Sequence, residues 1–126
     1  MRKVADGLSK TFFVGEKHVT EPCFGRATGR DPLTNLSMRC ADNSIYNGDL
    51  HRTLARYAGP ESPIAKSPTD RVVEEKSQFG SWHPGVCQFV LGDASVQSVS
   101  TDLDVNVLGR LANIADGEVI DSSSFR

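Results

Sequence analysis

Residues 78–96 read Gln78-Phe79-Gly80-Ser81-Trp82-His83-Pro84-Gly85-Val86-Cys87-Gln88-Phe89-Val90-Leu91-Gly92-Asp93-Ala94-Ser95-Val96. Val86–Leu91 is a short apolar run between two turn signals, which reads as a strand. With a period of two, Cys87, Phe89 and Leu91 share one face, and Val86 and Val90 flank Gln88 on the other. His83-Pro84-Gly85 supplies the turn before this strand and Gly92-Asp93-Ala94 the turn after it, which is expected to relax into a longer loop with Gly92 taking the positive φ and Ala94 keeping a negative one. Ser95 to Ser100 returns as a polar, edge-like strand. Val96 and Val99 have opposite parity there, which predicts a bulge. Upstream, Gln78–Trp82 reads as a further strand.

After this hairpin the period changes. Leu103, Val107, Leu108, Leu111, Ala112 and Ala115 fall on one face of a helix over residues 103–115. Thr101 stands three residues before Asp104, close to a capping box, and Asp116-Gly117 supplies the stop. Glu118-Val119-Ile120 reads as a last short strand. Toward the N-terminus, Thr11-Phe12-Phe13-Val14 is a β-prone run that Gly15 ends or bulges. Residues 20–42 are rich in Gly, Pro, Asn and Thr and read as a long irregular segment, pinned at most by a short strand. Ser44-Ile45-Tyr46 is a strand candidate before the turn Asn47-Gly48-Asp49. Leu50–Tyr57 reads as one or two helical turns, and residues 59–70 as the most loop-like stretch. The expected fold is α+β in a single domain over residues 1–126: an antiparallel β-meander with a late C-terminal helix and long irregular loops.

Composition excludes several function classes. The chain has 126 residues, 24% of them charged, and a net charge of −2. Its acids slightly outnumber its bases and no Lys/Arg block occurs, so nucleic acid is not an expected partner. No segment reaches the ~18 apolar residues of a membrane-spanning helix. Met1–Asp6 begins like a signal peptide but meets Asp6 and Gly7 where the apolar stretch would follow, so no export signal is read. Cys23, Cys40 and Cys87 form no CxxC. Cys87 reads as an inert core thiol, and the sequence leaves open whether Cys23 and Cys40 pair.

Catalytic arrangements find no support. His83 and Asp93 are the natural acid–base candidates, but a strand between them, at ~3.3 Å per residue, sets them roughly 20 Å apart. Separate structural roles are expected: His83 hydrogen-bonds to organise the Pro84-Gly85 turn, and Asp93 shapes the hairpin. His18 and His51 have no ligand-like spacing, and no G-x-S-x-G is present. No cofactor is expected. Calcium is the one ion left open, with Glu16, Asp49 and Asp93 as its candidate ligands.

Asp6–Lys17, Tyr46-Asn47-Gly48-Asp49 and Phe79–Val96, taken in order, resemble a planctomycete-type family of prepilin-like (pseudopilin-like) envelope proteins. That family has a C-terminal signature of His, nine residues, then Asp-Gly. His83, Pro84, Gly85, Gly92, Asp93 and Ala94 stand at the signature positions here, with Ala94 where the family has Gly. Leu108–Ala112 and Asp116–Ile120 resemble the family's ending. The family's N-terminal cleavage and methylation helix is not found in this sequence. The resemblance implies a pilin-head-like fold, a cell-envelope or exported location, and protein partners in an envelope, pilus-like or secretion assembly. The leading expectation is therefore a non-enzymatic structural or interaction domain. The rival is a small extracellular calcium- or carbohydrate-binding module, favoured if Trp82, Tyr46 and Tyr57 gather on one exposed face.

Overall fold

The structure is a computed structural model and describes residues 7–26, 28–31, 33–40, 55–70 and 77–114. The alternation in Val86–Leu91 has the expected consequence. This strand, β4, lies at the centre of a three-stranded antiparallel sheet of order β1-β4-β5, where β1 is Phe12–Gly15 and β5 is Val96–Ser100. Cys87, Phe89 and Leu91 point inward and are buried, whereas Gln88 is exposed on the other face. The inward row meets Phe12, Ile64, Val99, Leu108 and Leu111 in one hydrophobic cluster. The α+β class with its antiparallel sheet is thus the observed one.

The β4–β5 register is unbroken from Val86↔Ser100 to Val90↔Val96. The bulge expected in β5 is therefore not there. The two valines simply face opposite ways, Val99 fully buried and Val96 62% exposed. The irregularity lies in β1 instead, between Phe12, opposite Leu91, and Val14, opposite Val90. Gly15 then ends β1 at a close approach: a Cβ at this position would stand 2.6 Å from the rings of both Phe79 and Phe89.

The helix α1, Val105–Leu111, is shorter than the periodicity suggested and starts later. Asp104 caps it, accepting from the N–H groups of Asn106 (2.9 Å) and Val107 (3.2 Å). Thr101 is not the cap: its N–H donates to Gly85 O at 3.0 Å, so the chain still follows the β-ladder there, and the helix begins only at Val105. Leu108 and Leu111 are buried and Leu103 and Val107 partly so, but Ala112, expected on the same face, is exposed. Ala115, Asp116-Gly117 and Glu118–Ile120 lie outside the described residues.

Two stretches read as irregular carry more order than expected. Between residues 20 and 42, Thr28–Arg30 (β2) and Ser37–Arg39 (β3) form a two-stranded antiparallel hairpin. A short 3₁₀ turn, Glu21–Cys23, packs on it, and a disulfide joins Cys23 to Cys40. Residues 59–70 are loop-like, as read, but reciprocal hydrogen bonds between Gly59 and Ser62 close a tight turn that places Ile64 and Ala65 in the core. The strand expected at Gln78–Trp82 is reduced to bridges, Gln78 to Tyr57 and Phe79 to Lys17. Tyr57 is extended rather than helical for the same reason. Residues 44–54, which include the expected strand and turn there, lie outside the described residues.

The β4–β5 connection overturns one expectation. Gly92 was the residue suited to take a positive φ, which would leave Ala94 relaxed. Instead Ala94 has φ +67°, and neither Gly92 nor Asp93 is positive. Ala94 N–H donates to Leu91 O (3.0 Å), and Leu91 N–H to Ser95 O (2.9 Å). This is a three-residue hairpin loop whose last residue is left-handed, a position that glycine fills without a Cβ clash. Ala94→Gly should therefore stabilise the domain by about 1 kcal/mol, net of the added unfolded-state entropy. Unfolding in urea checks this, and a neutral or destabilised variant would contradict the strain. In the same assay Leu111→Ala should cost about 2–5 kcal/mol, while Asn113→Ala, at an exposed position past α1, should stay within about 0.5.

Candidate functional site

The residues singled out by the sequence lie beyond the two ends of β4. At its start, His83 and Pro84 are exposed and Gly85 has φ +75°, a conformation that suits glycine. The organising group of this turn is Ser81 rather than the His83 ring. Ser81 Oγ donates to Val86 O (2.7 Å) and accepts from the His83 N–H (3.1 Å). A hydroxyl two residues upstream is closer to these backbone groups than an imidazole that points to solvent.

At the far end, Asp93 does what was expected of it. Its Oδ1 accepts from Ser95 Oγ (2.6 Å) and from the Ser95 N–H (2.9 Å). These bonds, the hydroxyl's first, hold its pKa below the usual carboxylate value. The contact therefore favours the hairpin above that range and weakens as the pH falls through it. The N–H groups of Gly92 and Asp93 donate to Thr11 O (3.0 Å) and Leu8 O (3.1 Å), which ties the loop to the segment before β1. With the whole of β4 between them, His83 and Asp93 do not meet, and neither transfers a proton to the other.

The remaining candidates have structural surroundings. Cys87 is fully buried, and desolvation, aided by the charge of Glu16, raises its pKa to about 12. His18 is buried and its Nε2 donates to Asp70 O at 2.7 Å. Glu16 Oε2 accepts from the Gln88 N–H (2.7 Å) beside the middle of β4, well away from Asp93. Among the described residues no three His, Cys, Asp or Glu side chains gather as a metal site. Asp49 and His51 lie outside those residues. A cleft of about 370 Å³ runs beside β1, lined by Phe12, Val14, Phe79 and Ala112 with Lys17 and Arg56 on its wall. The described residues that line it include no nucleophile–base pair.

One exposed feature was only half legible. Trp82 is 46% exposed and packs against Phe24, itself 66% exposed, with ring centroids 5.1 Å apart. Trp82 Nε1 donates to Val19 O at 3.2 Å, which fixes the indole at the surface. Nothing in the spacing around Phe24 announced this partner, because the disulfide and the Glu21–Cys23 turn are what carry Phe24 toward it. Tyr57 is also about half exposed, and Tyr46 lies outside the described residues.

No helix among the described residues is long and apolar enough to cross a membrane. No curated protein and no solved structure matches the chain. A family model does match, over residues 1–106, a span that takes in all five of the described strands and the first two residues of α1. The chain therefore belongs to the family described as "Protein of unknown function (DUF1559)".

Proposed function

We propose that this chain is a non-enzymatic structural or interaction domain that works outside the cytoplasm, as the pilin-head-like part of an envelope or secretion assembly. The Cys23–Cys40 disulfide is the observation that carries the reading. Both cysteines are buried, and their bond closes the β2–β3 hairpin onto the Glu21–Cys23 turn. Structural disulfides of this kind persist in oxidising compartments and are rare in the reducing cytosol. The separation of His83 from Asp93 and the inertness of Cys87 support the non-enzymatic part. The resemblance of His83–Ala94 to the prepilin-like signature supports the assembly part.

Native cells, fractionated and probed for the chain, should yield it in the envelope or exported fraction with Cys23–Cys40 oxidised. A native thiol assay at pH 8 should find no reactive thiol, and denaturation without reductant should release one, that of Cys87. A cytoplasmic pool with three free thiols would sink the reading. Replacing Cys23 and Cys40 by Ser should cost about 3 kcal/mol, the loop-closure contribution for a separation of 17 residues.

The exposed Trp82–Phe24 pair favours a second reading, a carbohydrate-binding surface, since aromatic faces are where sugar rings stack. Trp82 is the sole tryptophan, so its fluorescence reports this site alone. Titration with soluble neutral and acidic glycans should then give a saturable shift that Phe24→Ala abolishes. An unchanged spectrum across the series rules that surface out.

A further inference from the structure

Among the described residues, the β5 edge of the sheet is a surface with unspent hydrogen bonds. Thr101 N–H donates to Gly85 O, and Ser95 O accepts from Leu91 N–H. Residues 95, 97, 99 and 101 therefore turn their backbone groups toward β4, and Val96, Ser98 and Ser100 turn theirs away. Ser100 O is used locally, accepting from Leu103 N–H at 3.1 Å. The N–H and C=O groups of Val96 and Ser98, and the Ser100 N–H, have no partner among the described residues.

Natural edge strands are blunted by Lys, Pro, a bulge or an inward charge. β5 has none of these: its sequence is Val-Gln-Ser-Val-Ser and its register with β4 is regular throughout. We propose that β5 is a self-association edge, along which two copies of this chain pair antiparallel about a twofold axis at Ser98. Two three-stranded sheets would then become one continuous sheet. The inference deepens the assembly reading above by naming a partner. It rests on that reading for the contact's biological role, while the edge geometry stands by itself.

Three observations favour a second copy over a foreign strand. Under a twofold axis at Ser98 each Ser98 N–H meets the Ser98 carbonyl of the second copy and each Ser100 N–H the Val96 carbonyl, while the Val96 N–H shares the Ser100 carbonyl with the Leu103 N–H. The strand bears no charge, so no like charges are brought together along it. Beyond its ends, the axis sets Asp93 opposite Leu103 of the second copy, next to Asp102, whose charge Lys66 already holds at 2.5 Å. A foreign peptide would instead be selected by pockets for its alternate side chains. The described cleft, however, lies beside β1, at the other edge of the sheet. A five-residue strand buries less than the ~1,200 Å² of a standard interface, so the pairing is weak and depends on high local concentration.

Site-specific cross-linking tests the pairing. Facing Ser98 positions would have Cα atoms about 5.5 Å apart, within disulfide range. Under mild oxidation, Ser98→Cys should form a reducible dimer at least tenfold more efficiently than Val96→Cys or Gln97→Cys. Sedimentation of the unmodified chain should show mass rising with concentration. Ser98→Lys, at an exposed position, should stay monomeric with an unchanged unfolding midpoint. Equal cross-linking at the three positions, or a monomer up to ~1 mM, overturns the pairing. Either result leaves the extracytoplasmic reading intact, whereas a cytoplasmic location with free thiols defeats that reading and leaves the edge contact standing.

Discussion

The ring of Phe89 is the contact on which the rest of the sheet depends. Phe12 stacks on it at 4.0 Å and Phe79 meets it edge-on at 5.1 Å, both measured between centroids. Gly15 lies over the same two rings with no room for a Cβ. Two segments, β1 and the stretch around Phe79, are thus brought to one residue of β4. Burying a Phe is worth about 1.5–3 kcal/mol, and each favourable aromatic pair adds about 0.5–1.5. The bulge in β1 belongs to this arrangement: Phe12 must face inward opposite Leu91 and Gly15 must pass the Phe89 ring, while Val14 turns to the exposed side. Backbone bonds then attach the Phe79 segment to the same assembly, from Gly80 N–H to Glu16 O and from Ala65 N–H to Phe79 O.

The β2–β3 hairpin is held by a different kind of force. Each of its strands has three residues, and Thr28 and Arg30 are exposed. An isolated hairpin this short is not stable in water. Here the disulfide stands in for a core, and Gly29 lets the hairpin approach the Glu21–Cys23 turn, where a Cβ would collide with the Pro22 carbonyl. The hairpin is joined to the body by the Glu21 N–H, which donates to Pro68 O at 2.7 Å, and by the Trp82 indole on Val19 O. Covalent closure does in this part what aromatic burial does around Phe89.

This division explains what the sequence made legible. Val86–Leu91 announced its strand and its inward face because alternation is a local signal and β4 is buried through it. Leu108 and Leu111 announced the helix face for the same reason. Thr28-Gly29-Arg30 and Ser37-Met38-Arg39 carry no alternation, and their pairing depends on a cysteine bond that spacing left open. The helix cap moved from Thr101 to Asp104 because the pairing with the β4 side of the hairpin runs on through Thr101, so the helix starts only after Asp104. The sign of φ at Ala94 was misjudged because the loop was expected to relax onto Gly92, whereas the bonds between Leu91 and Ser95 and from Ala94 N–H to Leu91 O close a three-residue loop whose last residue is left-handed. At the site, Asp93 was legible because its partner lies two residues away. His83 was over-read because the competing Ser81 hydroxyl was not weighed.

An odd number of cysteines raises a problem that the fold answers. A chain with one disulfide and one thiol can scramble if the thiol attacks the bond. The attacking species is the thiolate, so both its population and its access matter. With a pKa of about 12, Cys87 is ionised at neutral pH in only about one molecule in 10⁵. Full burial on the inward face of β4 removes access as well. The same alternation that makes β4 the centre of the core thus insulates Cys87 from the Cys23–Cys40 bond. A polar residue at position 87 would also avoid the exchange, but it would put an unpaired group among Phe89, Val99 and Leu111. A buried cysteine is small and apolar enough to fill that position, and its burial keeps the hairpin's covalent clamp intact.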